Sequence, residues 1–146
     1  MRVPRRAVDL GFKVLNLFHR AVLRVSGARV GSSAFGMTIV ELHAIGRRSG
    51  RVRSVLLASP VVDGDTFVLV ASKGGDDRNP DWFENLLAHP EVEVTIRQHR
   101  RPVRARVATS AEAAQLWPRV VDAYGPYASY RKRANREIPL VICEPR

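Results

Sequence analysis

Two loops of this 146-residue chain gather residue types that could bind a charged ligand. The first spans residues 46–53, with the sequence GRRSGRVR, and holds four arginines within seven positions. Like charges this close repel one another, and a bound anion would relieve that repulsion. Guanidinium groups and exposed backbone N–H groups suit phosphate or carboxylate. The pattern therefore predicts either an anion-binding turn or a basic turn that is simply solvated.

The second loop follows an apolar segment and spans residues 71–75, with the sequence ASKGG. Its glycines let the backbone approach a flat ring or a phosphate closely. Lys73 could steer an anion or polarise a carbonyl group. The spacing is not that of a phosphate-binding Walker motif, so an ordinary surface loop is the alternative.

All three tyrosines of the chain lie close together, at positions 124, 127 and 130. Gly125 and Pro126 interrupt a regular helix there, so we expect the rings to project from a corner. Phenol groups are protonated near neutral pH and can donate hydrogen bonds to a developing oxyanion. A packed aromatic corner without chemistry is the alternative.

The other reactive residues exclude several classes of site. A single cysteine, Cys143, rules out a disulfide within the chain and any multi-cysteine metal site. The four histidines have no metal-ligand spacing, so we expect no metal. Neither a G-x-S-x-G motif nor a G-x-G-x-x-G motif is present. We interpret His43 as a packed or surface residue and Cys143 as inert core.

The net charge is +10, from 24 basic and 14 acidic side chains. This excess indicates either a solvated basic surface or an anionic partner: nucleic acid, a membrane surface or a small polyanion. Nucleic acid ranks last, because the basic segment 97–106 has no interleaved aromatic residue. No apolar stretch reaches the roughly 18 residues that cross a bilayer. With one cysteine, this favours a cytoplasmic protein.

Six segments have the alternating or apolar pattern of β-strands. They are residues 37–45, 52–62, 66–71, 91–97, 102–108 and 138–143. A helix is expected with Asn79 as its N-cap and Pro80 at its first position, and another after the capping box at 109–112. A helical turn follows at the tyrosines. The up-and-down order of the strands predicts an α+β fold, mainly antiparallel β, closed or nearly closed into a barrel.

Residues 6–26 have the pattern of an amphipathic helix with a broad apolar arc and a narrow basic face. Such a helix either packs on the domain or lies in a membrane interface. We divide the chain accordingly into an N-terminal helix and linker, residues 1–36, and a domain, residues 37–146.

Several motifs from residue 38 to residue 146 together resemble the deazaflavin-dependent nitroreductase family. The turn at 46–53 is similar to the family's G-R-K-S-G-x-x-R motif. The sequence ASKGG at 71–75, with NPDWF at 79–83 and NL at 85–86, is similar to its A-S-K-G-G…N-P-x-W-[YF]-x-N-L signature. Four further features are similar to the C-terminal end of the family's sequences: WP at 117–118, the three tyrosines, IP at 138–139 and CEP at 143–145.

This resemblance implies a split β-barrel of the FMN-binding-like type over residues 37–146, usually dimeric. It also implies coenzyme F420, a deazaflavin whose tail carries a phosphate and several glutamates. By the same resemblance, the phosphate and tail would be held by Arg47, Arg48, Ser49 and Arg53. The deazaflavin would be framed by Lys73, Gly74, Trp82 and Asn85. The catalytic hydrogen bonds would come from Ser72, Tyr124, Tyr127 and Tyr130.

The activity implied is reduction of an electron-poor small molecule (a quinone, an activated alkene or a nitro compound) by hydride from reduced F420. If the N-terminal helix contacts the inner face of the plasma membrane, a lipid quinone is the natural acceptor. Family members often carry a proline and an aromatic residue in the strand after the arginine turn. This chain has the small Ala58 there, which implies a larger pocket or a different substrate. A non-catalytic lipid or fatty-acid binder and an FMN-binding split-barrel protein are the alternatives.

Overall fold

The structure is a computed structural model that describes the backbone of residues 33–34 and all of residues 36–146. The helix predicted at residues 6–26 lies outside the described residues, as does most of the linker. The division of the chain at residue 36 therefore stays a prediction.

Eight strands and three helices form the described part of the chain. The strands are β1 (Ser33–Ala34), β2 (Met37–Ile45), β3 (Val52–Ser59), β4 (Val61–Asp63), β5 (Thr66–Val70), β6 (Glu91–Ile96), β7 (His99–Val107) and β8 (Leu140–Pro145). The helices are α1 (Asp81–Ala88), α2 (Ser110–Ala123) and α3 (Pro126–Arg133). A 3-10 turn spans Lys73–Gly75. The predicted helical turn at the tyrosines is thus a helix of 8 residues.

The strands form one sheet in the order β1-β2-β6-β7-β8-β5-β4, with β3 also paired to β2. All pairings are antiparallel, which confirms the predicted fold class. The predicted up-and-down order is wrong, because β5 pairs with β8 and β2 with β6. The chain between β5 and β6 folds into the 3-10 turn and α1, which carries it away from β5. β3 lies against β5, so the sheet curls into a half-barrel.

The segment predicted as one strand at 52–62 is two strands, β3 and β4, separated by Pro60. Proline has no N–H group for a ladder, so the strand breaks there. The Ser59 hydroxyl lies 3.0 Å from the carbonyl oxygen of Val61 and 2.7 Å from that of Val68. This buried hydroxyl joins the end of β3 to β5.

Strand β5 separates two hydrophobic clusters and is buried on both faces. Phe67 and Leu69 point into the first cluster, inside the curled sheet, where α1 also packs. Val68 and Val70 point into the second cluster, under α2 and α3. Burial on both faces explains why this segment is continuously apolar rather than alternating.

The two predicted helix starts have different outcomes. Helix α2 has the expected capping box: Thr109 Oγ1 accepts from the N–H of Glu112 at 3.2 Å, and Glu112 Oε1 accepts from the N–H of Thr109 at 2.9 Å. Helix α1 begins at Asp81 with Pro80 as its N-cap, so the prediction of Asn79 as N-cap is wrong. The Asn79 side chain instead contacts Arg136 at 2.8 Å, which takes it away from the helix N–H groups.

Within the described part of the chain, no helix is long and apolar enough to span a membrane.

Candidate cofactor and substrate site

The arginine turn, residues 46–53, connects β2 to β3 and is fixed by its own backbone. The N–H of Gly50 donates to the carbonyl of Gly46 at 2.8 Å, and the N–H of Gly46 donates to the carbonyl of Arg51 at 2.8 Å. Gly50 has a φ of 71°, which favours glycine at this position. The turn is therefore a defined scaffold on which its arginines are carried.

A cleft of about 250 Å³ opens beside this turn. Its lining carries three guanidinium groups, one hydroxyl and one carboxylate, from Arg47, Arg48, Arg53, Ser49 and Asp81, together with Gly46 and Asn85. A methyl group added at Gly46 would lie 2.6 Å from Ser49 Oγ and 3.3 Å from Arg53 Nε. These two side chains therefore lie directly over the glycine backbone, and a Cβ at this position would collide with the Ser49 hydroxyl.

Helix α1 holds the turn through Asn85, whose residue surface is only 5% exposed. Asn85 Oδ1 accepts two hydrogen bonds from Arg47, from the backbone N–H at 3.1 Å and from Nη1 at 2.8 Å. Arg47 Nη2 also lies 3.6 Å from the Asp81 carboxylate. The structure thus brings five predicted site residues into one cleft: Arg47, Arg48, Ser49, Arg53 and Asn85. Asp81 also forms a wall of this cleft, a role that the sequence pattern did not predict.

The lysine loop, residues 71–75, has an unusual backbone conformation. Three successive residues have left-handed φ angles: 46° at Lys73, 62° at Gly74 and 84° at Gly75. For a residue with a side chain, such as Lys73, this conformation is about 1–2 kcal/mol higher in free energy than a right-handed one. The N–H of Gly75 donates to the carbonyl of Ser72 at 2.9 Å, which closes the turn. The Ser72 residue itself is buried, 7% exposed.

The three tyrosines form a stack of perpendicular rings at the corner between α2 and α3. The ring centroids of Tyr124 and Tyr127 are 5.3 Å apart, and those of Tyr127 and Tyr130 are 5.8 Å apart. Edge-to-face contact is a favoured aromatic geometry. Tyr127 is buried, and its hydroxyl points at Met37 Sδ, 3.9 Å away. The expected corner is therefore present, with Tyr127 as its innermost ring.

Burial is the main cause that raises the pKa of both Tyr127 and Tyr130 above the ordinary value of a phenol. The neighbouring tyrosines raise the pKa of each further. Both hydroxyls are consequently protonated throughout the physiological range, as a hydrogen-bond donor requires.

The lysine loop and the tyrosine corner are packed against each other. A methyl group added at Gly75 would lie 3.2 Å from both the Cα and the carbonyl oxygen of Tyr130. The loop therefore touches the backbone of α3 at Tyr130. Trp82, in the first turn of α1, belongs to the first hydrophobic cluster, where it is 9% exposed and its ring centroid lies 6.3 Å from that of Phe83, edge to face.

One residue that the sequence analysis missed links these parts. Arg136, just after α3, donates hydrogen bonds to both ends of the lysine loop and to Asn79, which precedes α1. No local motif marks this arginine, because its partners are 57–65 positions away in the sequence.

Two other reactive side chains are buried and packed, as the sequence analysis predicts. Cys143 is fully buried, and burial raises the pKa of its thiol to about 12. His43 is 7% exposed, with Nδ1 2.8 Å from Ser54 Oγ and Nε2 2.8 Å from Thr95 Oγ1. Among the residues that the structure describes, no three His, Cys, Asp or Glu side chains gather as metal ligands.

Comparison with known proteins gives a consistent result. Residues 16–145 match the family model described as F420H(2)-dependent quinone reductase. A Mycobacterium tuberculosis protein named F420H(2)-dependent quinone reductase is 34% identical over 137 residues, which cover 91% of each chain.

Two solved structures share the fold. One is an F420-H2 dependent reductase with a TM-score of 0.66 and 37% identity, covering 73% of this chain and 93% of its own. The other, a domain-swapped dimer, has a TM-score of 0.69 and 32% identity, covering 89% of this chain and 98% of its own. This chain belongs to the F420H(2)-dependent quinone reductase family, a family of deazaflavin-dependent oxidoreductases whose cofactor is F420.

Proposed function

We propose that this F420H2-dependent reductase reduces a quinone, with nitro compounds and activated alkenes as poorer acceptors. One observation carries the proposal: the lysine loop and the helix beside the cationic cleft, α1, belong to one continuous stretch of chain. The cationic cleft lies against α1, and the lysine loop that leads into α1 touches Tyr130 of the tyrosine corner, where burial raises the pKa of Tyr127 and Tyr130. We infer that the anionic tail occupies the cleft and that the reducible ring lies beside the lysine loop.

The residues of the cleft fit the tail of F420. Three guanidinium groups face one carboxylate, so the lining has a surplus of positive charge. Guanidinium and hydroxyl donors are the groups that bind phosphate and carboxylate well. We assign Arg47, Arg48, Ser49 and Arg53 to the phosphate and glutamates of the tail. We assign Lys73, Gly74, Trp82 and Asn85 to the deazaflavin.

When bound, reduced F420 supplies the hydride, so the protein needs to position the partners rather than provide a strong base. The residues proposed to act on the acceptor are Ser72, Tyr124, Tyr127 and Tyr130. Reduction of a quinone places negative charge on its oxygen, and a protonated hydroxyl can stabilise that charge. Each such donor contributes about 2–4 kcal/mol to a transition state with an oxyanion.

The name of the matching family and that of the M. tuberculosis relative support a quinone over the other acceptors. The domain-swapped dimer among the similar structures supports a homodimer. Peripheral contact of residues 6–26 with the inner face of the plasma membrane, where a lipid quinone would be available, also stays a proposal, as does the cytoplasmic location.

The test measures the oxidation of reduced F420 with each acceptor class in turn. The return of F420 absorbance monitors the reaction. We expect turnover with a soluble quinone to exceed turnover with a nitroarene and with cyclohexenone at least about tenfold in kcat/KM. Equal or faster turnover of either competitor would contradict the quinone assignment. Failure of all three acceptors, with FMN or a fatty acid bound to the purified protein, would point to the alternative FMN-binding or non-catalytic roles.

A further inference from the structure

The lysine loop does not hold its shape through its own hydrogen bonds alone. Three consecutive left-handed residues include Lys73, which carries a side chain and is strained there. The loop's own backbone supplies the bond from Gly75 to Ser72 and a second, at 3.2 Å, from Asp76 to Lys73. A strained segment of this kind persists only where its surroundings fix it.

Arg136 supplies that fixation from outside the loop. Its Nη2 lies 3.0 Å from the carbonyl oxygen of Ala71 and 3.1 Å from that of Ser72, where the loop begins. Its Nε lies 3.0 Å from the carbonyl oxygen of Asp76, where the loop ends. One rigid guanidinium plane therefore spans the entry and the exit of the loop.

A fourth hydrogen bond extends this contact to α1. Arg136 Nη1 donates to Asn79 Oδ1 at 2.8 Å, and Asn79 Nδ2 donates to Glu84 Oε1 in α1 at 3.3 Å. Helix α1 is also the element that holds Arg47 through Asn85. Arg136 thus touches the lysine loop directly and the helix behind the cationic cleft through one intermediary.

The environment of Arg136 fits a built contact rather than a surface one. The residue is half-buried, and burial lowers the pKa of its guanidinium, an effect partly offset by Asp76 and Asp77. The group remains charged at physiological pH. A partly buried charge that donates to three carbonyl oxygens stabilises the arrangement of those oxygens more than a neutral donor would.

We propose that Arg136 is a positioning residue that fixes the lysine loop in its left-handed shape and thereby sets the affinity of the protein for F420. The proposal rests on the proposed placement of Lys73 and Gly74 beside the deazaflavin. Lysine can reach one or two of these acceptors but cannot span them in one plane. Methionine preserves the bulk of the side chain and reaches none.

The experiment compares R136M and R136K with R131M, the same substitution on an arginine of α3 whose guanidinium lies over the Trp117 ring, 4.1 Å from its centroid. Hydrogen exchange of the cofactor-free proteins reports on the amides of residues 72–77. F420 fluorescence gives the Kd, and steady-state kinetics gives the acceptor KM.

For R136M we expect loop amides that exchange at least about tenfold faster and an F420 Kd raised by a similar factor, as two or more lost charge-assisted hydrogen bonds imply. The acceptor KM should change far less, R136K should recover part of the loss, and R131M should match the wild type. Unchanged exchange in R136M would overturn the proposal, and so would faster exchange with an unchanged Kd. If the wild type itself binds no F420, the proposed placement of the deazaflavin fails, and hydrogen exchange alone decides whether Arg136 fixes the loop.

Discussion

Gly75→Ala tests whether the lysine loop is packed against α3 as tightly as the structure shows. The new Cβ would lie 3.2 Å from Tyr130 Cα and carbonyl oxygen, and 3.3 Å from Arg133 Cβ. Two of these atoms belong to backbone, which cannot rotate away. The φ of 84° adds the strain of a left-handed alanine.

Gly64→Ala is the matched control, because Gly64 has a φ of 63° but no atom within 4 Å of its added Cβ. The left-handed backbone destabilises both variants by about 1–2 kcal/mol. Only Gly75→Ala is destabilised by a further amount, about 1–3 kcal/mol, because its new methyl group is overpacked. At about 3 °C per kcal/mol for a chain of this size, its Tm should be lower than that of Gly64→Ala by roughly 3–9 °C.

The assay is thermal denaturation followed by circular dichroism, with an F420 titration on each variant below its transition. We expect the F420 Kd of Gly75→Ala to rise about fivefold or more, since a displaced loop that weakens binding by about 1 kcal/mol has that effect. Gly64→Ala should bind F420 like the wild type. Equal Tm values for the two variants would refute the close contact between loop and helix.

Three further predictions follow from single contacts. Asn85→Ala removes the acceptor for both bonds from Arg47, so we expect a loss of about 1–3 kcal/mol in unfolding free energy and weaker F420 binding; Asn85→Asp, which keeps the oxygen, should retain much of both. The hydrogen bond from Arg106 lowers the pKa of Glu112 to about 2 from its ordinary 4.5, so this carboxylate stabilises the fold above about pH 4.5 and loses that effect as the pH falls toward 2. The Tm of Glu112→Gln, which preserves the capping box, should therefore lie below that of the wild type at pH 7 and meet it near pH 2; a constant difference would contradict the assignment. Tyr130→Phe should lower kcat at least about tenfold while leaving the F420 Kd unchanged, and an unaltered kcat would remove this hydroxyl from the proposed donors.

Features that depend on neighbouring residues could be predicted from the sequence. The bounds of β2 follow from the mostly apolar run at 37–45, and the capping box at Thr109 follows from residue types three positions apart. The arginine turn is likewise local, since its glycines and its charges lie within eight positions. These patterns are set by backbone geometry, which acts over a few residues.

Features that depend on distant partners could not be predicted. Asn79 has a suitable side chain for an N-cap, but Arg136 is 57 positions away and occupies it. Arg136 acts on backbone carbonyls, which carry no sequence signature. The pairing of β5 with β8 arises because α1 and the lysine loop take the chain away from the sheet, and the length of a connection does not reveal its path.

The central claim is that the arginine turn binds the anionic tail of F420. The most direct measurement is the ratio of two Kd values, for F420 and for its deazaflavin chromophore without phosphate and glutamates, in the wild type and in an Arg48→Ala, Arg53→Ala double variant. Two charge-assisted hydrogen bonds of about 1.5–3 kcal/mol each predict that the wild type prefers F420 at least about 100-fold and that the double variant loses most of this preference. A preference that survives in the double variant, or is absent from the wild type, would contradict the account.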